Sequence, residues 1–389
     1  MTQPMSSVPQ GGSRPVLREN QASEGKPLNG ENARGESVVD ARVSGENTAF
    51  QPASPGETQA RTIPARHGTA RLRLRAIARA YLVVLLIPVL IVVFSLLAPS
   101  TFATLGTAQT LLTTNAALLI LAVGQTFVLA VGEFDLSFAG LVGMSGCLMV
   151  GFHVPVATAL IVSLAATLVI GLLNAFFVVI LGVNSLIATL GMSTVTTGIA
   201  LAATNSQTVP NPYGGFGKFI IYRIGGLGVP FYIALAAILI LWGVLERTRL
   251  GRNAYFVGSG RKAAAYAGIK VNRIRTLAFV VSAFTSWLAG LFLFGQSGSA
   301  DATFGTGYLL TVIAAVFLGY TAIRPGRYNA LGSLVGMLVL AVGTTGIEVL
   351  AAPIWLTDVF SGSILFVAVA LANVLGTVQG LRALRSVID

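Results

Sequence analysis

The stretch YLVVLLIPVLIVVFSLLAP, residues 81–99, contains no charged side chain. A helix needs about 20 mainly apolar residues to cross the hydrocarbon core of a bilayer, so this stretch predicts a membrane-spanning helix. Six arginines precede it: Arg61, Arg66, Arg71, Arg73, Arg75 and Arg79. Because Lys and Arg accumulate on the cytoplasmic side of membrane spans, these arginines predict a cytoplasmic N-terminus.

The composition of the whole chain agrees with a membrane protein. Of 389 residues, 54% are hydrophobic and only 10% are charged, against about 25% charged residues in an ordinary soluble domain. The mean hydropathy is +0.79. The net charge of +11 could suggest nucleic acid, but the basic residues fall in short runs beside apolar segments. The distribution therefore predicts a lipid bilayer, and no nucleic acid, as the partner of these basic residues.

Further apolar stretches predict an all-α, polytopic membrane protein of about ten helices. The third and eighth are short and interrupted by glycine, so we expect them to be broken or tilted. The predicted spans are 80–98, 107–131, 136–151, 155–181, 185–204, 229–246, 276–297, 307–323, 329–350 and 355–376.

The chain divides into three predicted parts. Residues 1–78 lack an apolar run until their end and are predicted to be a disordered, basic-ended cytoplasmic tail. Residues 79–378 form the transmembrane domain, and 379–389 form a cytoplasmic C-terminal tail. The loop 247–275 carries eight Lys or Arg residues, which places it, with both termini, in the cytoplasm.

The sequence offers little for catalysis. The phosphate-binding pattern G-x-x-x-x-G-K-[ST] does not occur, so ATP hydrolysis by that route is excluded for this chain. The single cysteine, Cys147, rules out an internal disulfide and is predicted to be a packing residue. The only histidines, His67 and His153, are far apart in sequence, so we predict neither a catalytic residue nor a metal site.

Polar residues within the spans are the candidates for a translocation path. The candidates are Asn115, Gln125, Asp135, Asn174, Thr189 and Thr194. Hydrogen bonds between helices are the commonest use of such residues and remain the alternative for each one. Glu133 and Asp135 stand together in VLAVGEFDLSFAG. They either flank a helix break beside the path or lie at the cytoplasmic interface, where Asp135 would be the N-cap of a helix starting at 136–137.

The loop 247–275 contains the run KAAAYAGI, residues 262–269. Gly260 precedes this run, and Gly268 lies near its end. Its small residues predict a short helix between two turns. Such a helix could dock onto another protein. The alternative is an ordinary basic loop that only sets the topology.

Four stretches together resemble the permease subunits of ATP-binding-cassette importers for ribose and related monosaccharides, which are related to the branched-chain amino acid permeases. The resemblance covers about 80–376 and keeps the order and spacing of its motifs. The stretches are ILAVGQTFVLAVGEFDLSFAG (120–140), NAFFVVILGVNSLIATLGMSTVTTGIAL (174–201), TRLGRNAYFVGSGRKAAAYAGIKVNRIR (248–275) and GTGYLLTVIAAVFLG (305–319).

The resemblance implies a plasma-membrane importer for a monosaccharide or similar small polar solute, working by alternating access. It also implies three partners: a second permease copy, a cytoplasmic ATP-binding-cassette ATPase that holds ATP and Mg, and an extracytoplasmic solute-binding protein. This chain itself would need no cofactor. The segment that docks on the ATPase would include Gly258, Arg261, Lys262, Ala263, Ala264 and Gly268. Lys218 and Arg223, in the predicted outer segment, could pair with acidic residues of the binding protein, or be solvated loop charges.

Two departures from the family pattern stand out. The family usually reads Gly-Gly-Ile-Asp-Leu-Ser where this chain has Glu133 and Phe134 within 132–137. The docking segment usually begins with acidic residues, whereas this chain has Arg261 and Lys262. These basic residues suggest an acidic groove on the partner ATPase. Rival interpretations are a secondary transporter that uses Glu133 and Asp135 as its ion site, a membrane-bound enzyme, and an exporter or channel.

Overall fold

The computed structural model describes residues 83–388, with side chains described as far as residue 372. The predicted tail 1–78 lies outside the described residues. Residues 379–388, predicted to be a tail, belong to the last helix.

The described chain is predominantly helical. The helices are α1 Val83–Leu97, α2 Leu105–Thr114, α3 Ala116–Ala130, α4 Phe138–Gly151, α5 Val156–Ala175, α6 Ser185–Ala203, α7 Gly214–Ile221, α8 Val229–Arg247, α9 Arg249–Ser259, α10 Arg261–Tyr266, α11 Val271–Ser297, α12 Leu309–Thr321, α13 Ala330–Val349 and α14 Trp355–Ile388. A π-helical turn, Phe176–Ile180, extends α5, and a 3₁₀ turn, Thr306–Tyr308, precedes α12.

Four two-residue strands complete the secondary structure. β1 (Val209–Pro210) pairs antiparallel with β4 (Ser299–Ala300), and β2 (Arg223–Ile224) pairs antiparallel with β3 (Leu227–Gly228). The two short ladders lie in the segments that join α6 to α8 and α11 to α12. An all-α architecture is therefore confirmed for the described residues.

Six described helices are long and apolar enough to cross a membrane, and the bent pair α2–α3 raises the number to seven. The predicted count of ten is not confirmed, because the other three apolar helices are shorter. One of them, α4, has 14 residues. At 1.5 Å per residue it extends about 21 Å, against a hydrocarbon thickness of about 30 Å. The multi-pass membrane character predicted from hydropathy is confirmed.

The centre of the fold is the helix α3, packed against α11. Every residue of α3 is buried, as expected for a helix that is apolar on all sides. Gly124 permits a close approach, because a Cβ at this position would lie 2.0 Å from Thr285 Oγ1 of α11. By contrast, most of the apolar residues of α5, α6 and the described part of α14 are not buried within the chain, as lipid-facing helices require.

Two irregularities interrupt this helical core. The axes of α2 and α3 meet at an angle of 43°, at Asn115, whose Nδ2 donates back to the carbonyl of Leu111 at 2.9 Å. Between α3 and α4 the chain leaves the helical conformation over residues 131–137. We call residues 132–137 the helix break.

Candidate functional site: the helix break and its two polar clusters

The helix break begins where α3 ends on a glycine. Gly132 has φ of +79°, and its N–H donates to Leu129 O while the N–H of Glu133 donates to Val128 O. This is the Schellman arrangement, which satisfies the last carbonyls of a helix and favours glycine at the left-handed position. Glycine also allows a second chain to approach, because a Cβ on Gly132 would lie 3.2 Å from the Cα of Gly258, at the end of α9.

The first turns of α6 hold the helix break in place. Ser185 Oγ accepts a hydrogen bond from the N–H of Phe134, and Thr189 Oγ1 accepts one from the N–H of Leu136, at 3.2 and 2.9 Å. A buried backbone N–H without a partner would cost about as much as a lost hydrogen bond. These two hydroxyls therefore replace the hydrogen bonds that a continuous helix would have made. Thr189, predicted to line a path, has this structural bond in the described conformation.

A charge cluster, which we define as Glu133, Arg261 and Arg275, lies at the start of the helix break. Arg261 NH2 is 2.7 Å and Arg275 Nε is 2.5 Å from the same oxygen, Oε1 of Glu133. Only 2% of the Glu133 side chain is exposed, against 10% for Arg275 and 49% for Arg261. The carboxylate is thus buried, with one buried and one half-exposed guanidinium group.

The same arginines also bind backbone carbonyls. Arg261 donates to Gly132 O and Arg275 donates to Val178 O in the π-helical turn, each at 3.2 Å. The charge cluster consequently connects four parts of the chain: the helix break, α10, α11 and the end of α5.

A polar cluster, which we define as Gln125, Asp135, Ser137, Asn174 and Ser282, follows at the other end of the helix break. Oδ1 of Asp135 accepts from both the N–H and the hydroxyl of Ser137, at 2.9 and 2.5 Å. Asn174 Nδ2 donates to Ser137 Oγ at 2.8 Å, and Gln125 Nε2 donates to Ser282 Oγ at 2.9 Å. Ser282 also interacts with Asp135 and so joins the two halves of the cluster.

Three oxygens of the polar cluster have no hydrogen-bond partner among the described residues. They are Gln125 Oε1, Asp135 Oδ2 and Asn174 Oδ1. All three side chains are almost completely buried. Buried polar groups in folded proteins are nearly always hydrogen-bonded, so these three oxygens are unused acceptors in this cluster. Within the described residues, no group of three His, Cys, Asp or Glu side chains could hold a metal ion.

The structure thus brings together three of the six predicted path residues, Gln125, Asp135 and Asn174, and places Thr189 beside them. Asn115 lies apart at the α2–α3 bend, and Thr194 lies on the exposed side of α6. The alternative interpretation of Asp135 as an N-cap is wrong. The helix α4 begins at Phe138, and the Asp135 carboxylate instead forms a turn with Ser137, the N-cap position.

The predicted short helix within 247–275 is α10, which lies between Gly260 and Gly268. Gly268 has φ of +76°, which explains why a glycine ends this segment. Ala264 is the buried residue of α10, whereas Lys262 and Ala263 are exposed and Tyr266 is 90% exposed. The preceding helix α9 was not predicted. We call Gly258–Gly268 the coupling segment.

The two predicted contacts for a binding protein lie on a different part of the chain. Lys218 is in the last turn of α7, and Arg223 is in β2. Both are exposed, and neither forms a salt bridge with a described residue.

Sequence reasoning missed Arg275, Ser137 and Ser282. In the sequence, Arg275 served only as one of the basic residues that place the loop 247–275 in the cytoplasm. Nothing in the pattern around Ser137 or Ser282 distinguishes either serine from an ordinary helix residue. Their partners are up to 157 residues away in sequence, so only the fold brings them together.

A multi-pass helical protein with a break in its central helix and an exposed helical segment tied to that break has the organisation of a membrane transporter subunit. The chain belongs to the family of branched-chain amino acid transport system permease components, whose model matches residues 107–369. The predicted family is confirmed.

Named relatives within this family are import permeases. The chain is 35% identical over 191 residues to the ribose import permease protein RbsC of Bacillus subtilis, covering 48% of this chain and 58% of that protein. It is 32% identical over 195 residues to RbsC of Escherichia coli K12, covering 49% and 61%. It is 29% identical over 204 residues to the autoinducer 2 import system permease protein LsrD of Yersinia enterocolitica, covering 51% and 62%. The chain therefore matches about three fifths of the length of these relatives. No solved structure matches it.

Proposed function

We propose that this chain is the membrane subunit of a binding-protein-dependent, ATP-driven importer for a monosaccharide or a similar small polar solute. Its membership of the permease family supports the class, and the names of the ribose permeases support the solute. The observation that carries the mechanism is the bond between the coupling segment and the helix break. An exposed helix on the predicted cytoplasmic side is joined by Arg261 to the end of the buried central helix.

In this mechanism the chain performs no covalent chemistry and holds no cofactor. ATP and Mg would bind to a separate ATPase, which would dock on the coupling segment through exposed residues such as Lys262 and Tyr266. Closure of the ATPase would move α10 and, through Arg261, the helix break. The transition would be a rigid-body shift of packed elements between two arrangements, as in other alternating-access proteins.

We further propose ten membrane spans, with cytoplasmic termini and a plasma-membrane location. Three shorter apolar helices, beside the six long helices and the bent pair, support the higher count. The basic residues of α9, α10 and the start of α11 support the orientation. Lys218 and Arg223 would then face the solute-binding protein outside.

The exposed side of α6 supports a path between two copies of the chain. Thr194 is exposed there, and a Cβ added at Gly191 or Gly198 would meet no heavy atom within 4 Å. Small residues on a membrane helix favour close packing against another helix. Thr194 would line the path at this face.

The test is to purify the tagged chain in mild detergent and identify the proteins that co-purify. We expect a cytoplasmic ATPase in roughly equal amount, and uptake of radiolabelled ribose or another monosaccharide by vesicles only when ATP and the binding protein are present. Uptake by vesicles containing the chain alone, without ATP, would refute the proposal.

Uptake by the chain alone, without ATP, would favour an ion-coupled secondary transporter. One feature supports this alternative: Asp135 Oδ2 has no partner among the described residues. The other candidate carboxylate, Glu133, is held by two arginines, which makes it a poor site for a transported ion. Dependence of uptake on an ion gradient, abolished by Asp135→Asn, would establish the alternative.

A further inference from the structure

The two departures from the family pattern meet in the structure. Glu133 replaces a glycine of the usual pattern in the helix break, and Arg261 stands where the docking segment usually begins with acidic residues. These two residues are 128 positions apart in the chain, yet their side chains form a direct ion pair. Arg261 therefore has an acidic partner within the chain, and its charge needs no acidic groove on the ATPase.

The two arginines that hold Glu133 differ in their surroundings. Arg275 is buried on α11 and also donates to Val178 O, so its position is fixed by two bonds within the packed core. Arg261 is half-exposed on α10 and reaches the helix break from outside the core. Removing Arg261 would leave Glu133 paired with Arg275, whereas removing Arg275 would leave a buried carboxylate with only a half-exposed partner. Ion pairs that are exposed to water are weak and can exchange, whereas buried ones are costly to break.

The helix break is held firmly on its other side. Ser185 and Thr189 bind its backbone, and Asp135, two residues after Glu133, belongs to the buried polar cluster. A displacement of Glu133 would therefore be transmitted over a few bonds to Asp135 and its hydrogen-bond partners. No comparable charged contact joins α10 to the core elsewhere among the described residues.

We propose that Glu133 and Arg261 form a latch between the coupling segment and the helix break, and that Glu133 is a positioning residue for transport. Arg275 is the fixed half of the latch, because it neutralises Glu133 in every conformation. Arg261 is the movable half, which engages Glu133 when α10 lies against the helix break and releases it when α10 moves. This inference rests on the proposed function, since α10 must be moved by an ATPase.

The first experiment tests the latch without any ATPase. Amide hydrogen exchange is measured over residues 260–268 in the purified full-length chain, for wild type, Arg261→Ala, and Arg273→Ala as the control. Arg273 is an exposed arginine that forms no salt bridge with a described residue, so it matches the loss of one exposed charge. We expect faster exchange over α10 in R261A only. Equal exchange in R261A and R273A would overturn the latch, whatever the function of the protein.

The second experiment uses the complex with its co-purified ATPase in proteoliposomes, with radiolabelled ribose as the probe and the binding protein present. We expect R261A and E133Q each to lower the ribose transported per ATP hydrolysed by about fivefold or more, the low end of measured couplings between sites. The double variant should lose no more than E133Q alone, because E133Q already removes the contact with Arg261 together with the pair to Arg275. The latch would be overturned, with the importer left intact, if the losses of the two single variants multiplied in the double variant. It would also be overturned if R261A and R273A transported the same amount of ribose per ATP hydrolysed. If wild type shows no ATP-dependent transport of ribose or of any other monosaccharide, the proposed function fails and so does the role of the latch in transport, while the hydrogen-exchange result still decides whether the contact holds α10.

Discussion

Arg275→Ala should destabilise this protein far more than Arg261→Ala, although both arginines bind the same oxygen of Glu133. The Arg275 side chain is 10% exposed and the Glu133 side chain is 2% exposed, so this is a buried pair. Removing one partner of a buried pair typically costs about 3–5 kcal/mol, because the other charge is left uncompensated. The loss of the bond to Val178 O adds to this cost. Since Arg261 still reaches the carboxylate, we expect a value near the lower end, about 3 kcal/mol.

The Arg261 pair belongs to a different energetic class. Its side chain is 49% exposed, and exposed ion pairs contribute about 0.2–1 kcal/mol. R261A also leaves Glu133 neutralised by Arg275. The two arginine variants should therefore differ by about 2 kcal/mol in their free energies of unfolding, the gap between these two classes of ion pair.

The assay is thermal unfolding of the detergent-purified chain, followed by tryptophan fluorescence, for both single variants and for R275A combined with Glu133→Ala. The double variant removes the buried carboxylate that R275A leaves with only the half-exposed Arg261, and it should regain much of the stability that R275A loses. Equal unfolding temperatures for R275A and R261A would refute the distinction between a fixed and a movable arginine. A double variant as unstable as R275A would show that Arg275 acts through packing and not through the charge of Glu133.

Three further predictions concern other parts of the chain. Gly258→Ala should lower the unfolding temperature relative to the control Gly260→Ala, at a cost of about 1–3 kcal/mol in the free energy of unfolding. A Cβ at 258 would lie 2.3 Å from a backbone oxygen of α3, whereas a Cβ at 260 would make an ordinary contact at 3.8 Å. Equal unfolding temperatures for the two variants would contradict the close approach of α9 to α3. Hydrogen bonds, chiefly from the Thr208 hydroxyl, lower the pKa of Asp301 below its ordinary 3.8. The ionised carboxylate therefore contributes fully to folding stability above pH 3.8, and this contribution is lost only as the pH falls through the lowered pKa. The stability of Asp301→Asn should then fall less steeply with pH below 3.8 than that of wild type. If two copies meet at α6, Thr194→Cys should form a disulfide-linked dimer in membranes, whereas a cysteine at the buried Ala200 should not; equal cross-linking would argue against this face.

Hydropathy located the membrane helices well because it depends on residues that are adjacent in sequence. The span predicted at 185–204 is Ser185–Ala203, and the span predicted at 229–246 is Val229–Arg247. The bend at Asn115 was not predicted, since a span of 107–131 has the same composition whether it is straight or bent by 43°. Helix α9 was also missed, although its buried residues Gly251, Ala254 and Val257 recur at helical spacing, because the loop was interpreted mainly by its charge.

For the polar residues too, features that depend on neighbours in sequence were predictable, whereas features that depend on other helices were not. Their occurrence within apolar stretches was visible in the sequence, because a polar side chain among apolar ones is easily seen. Their roles were not, because they depend on partners from other helices. The residues that follow Asp135 left a helix cap open as an alternative to a path residue, whereas Asn174 and Ser282 set its surroundings from 39 and 147 positions away.

The pairing of Glu133 with Arg261 gives one explanation for two departures that look unrelated in the sequence. An acidic residue in a buried helix break would be unfavourable alone, and Arg275 on α11 already provides the neutralising charge. Arg261 is therefore not required to bury Glu133, and its half-exposed position makes it a poor source of stability. Its two bonds, to the carboxylate of Glu133 and to the carbonyl of Gly132, instead define where α10 sits against the end of α3. A residue that adds little stability but fixes the position of a protruding helix is suited to a contact that is made and broken during a cycle, as proposed for Arg261, whereas Arg275 belongs to the buried core.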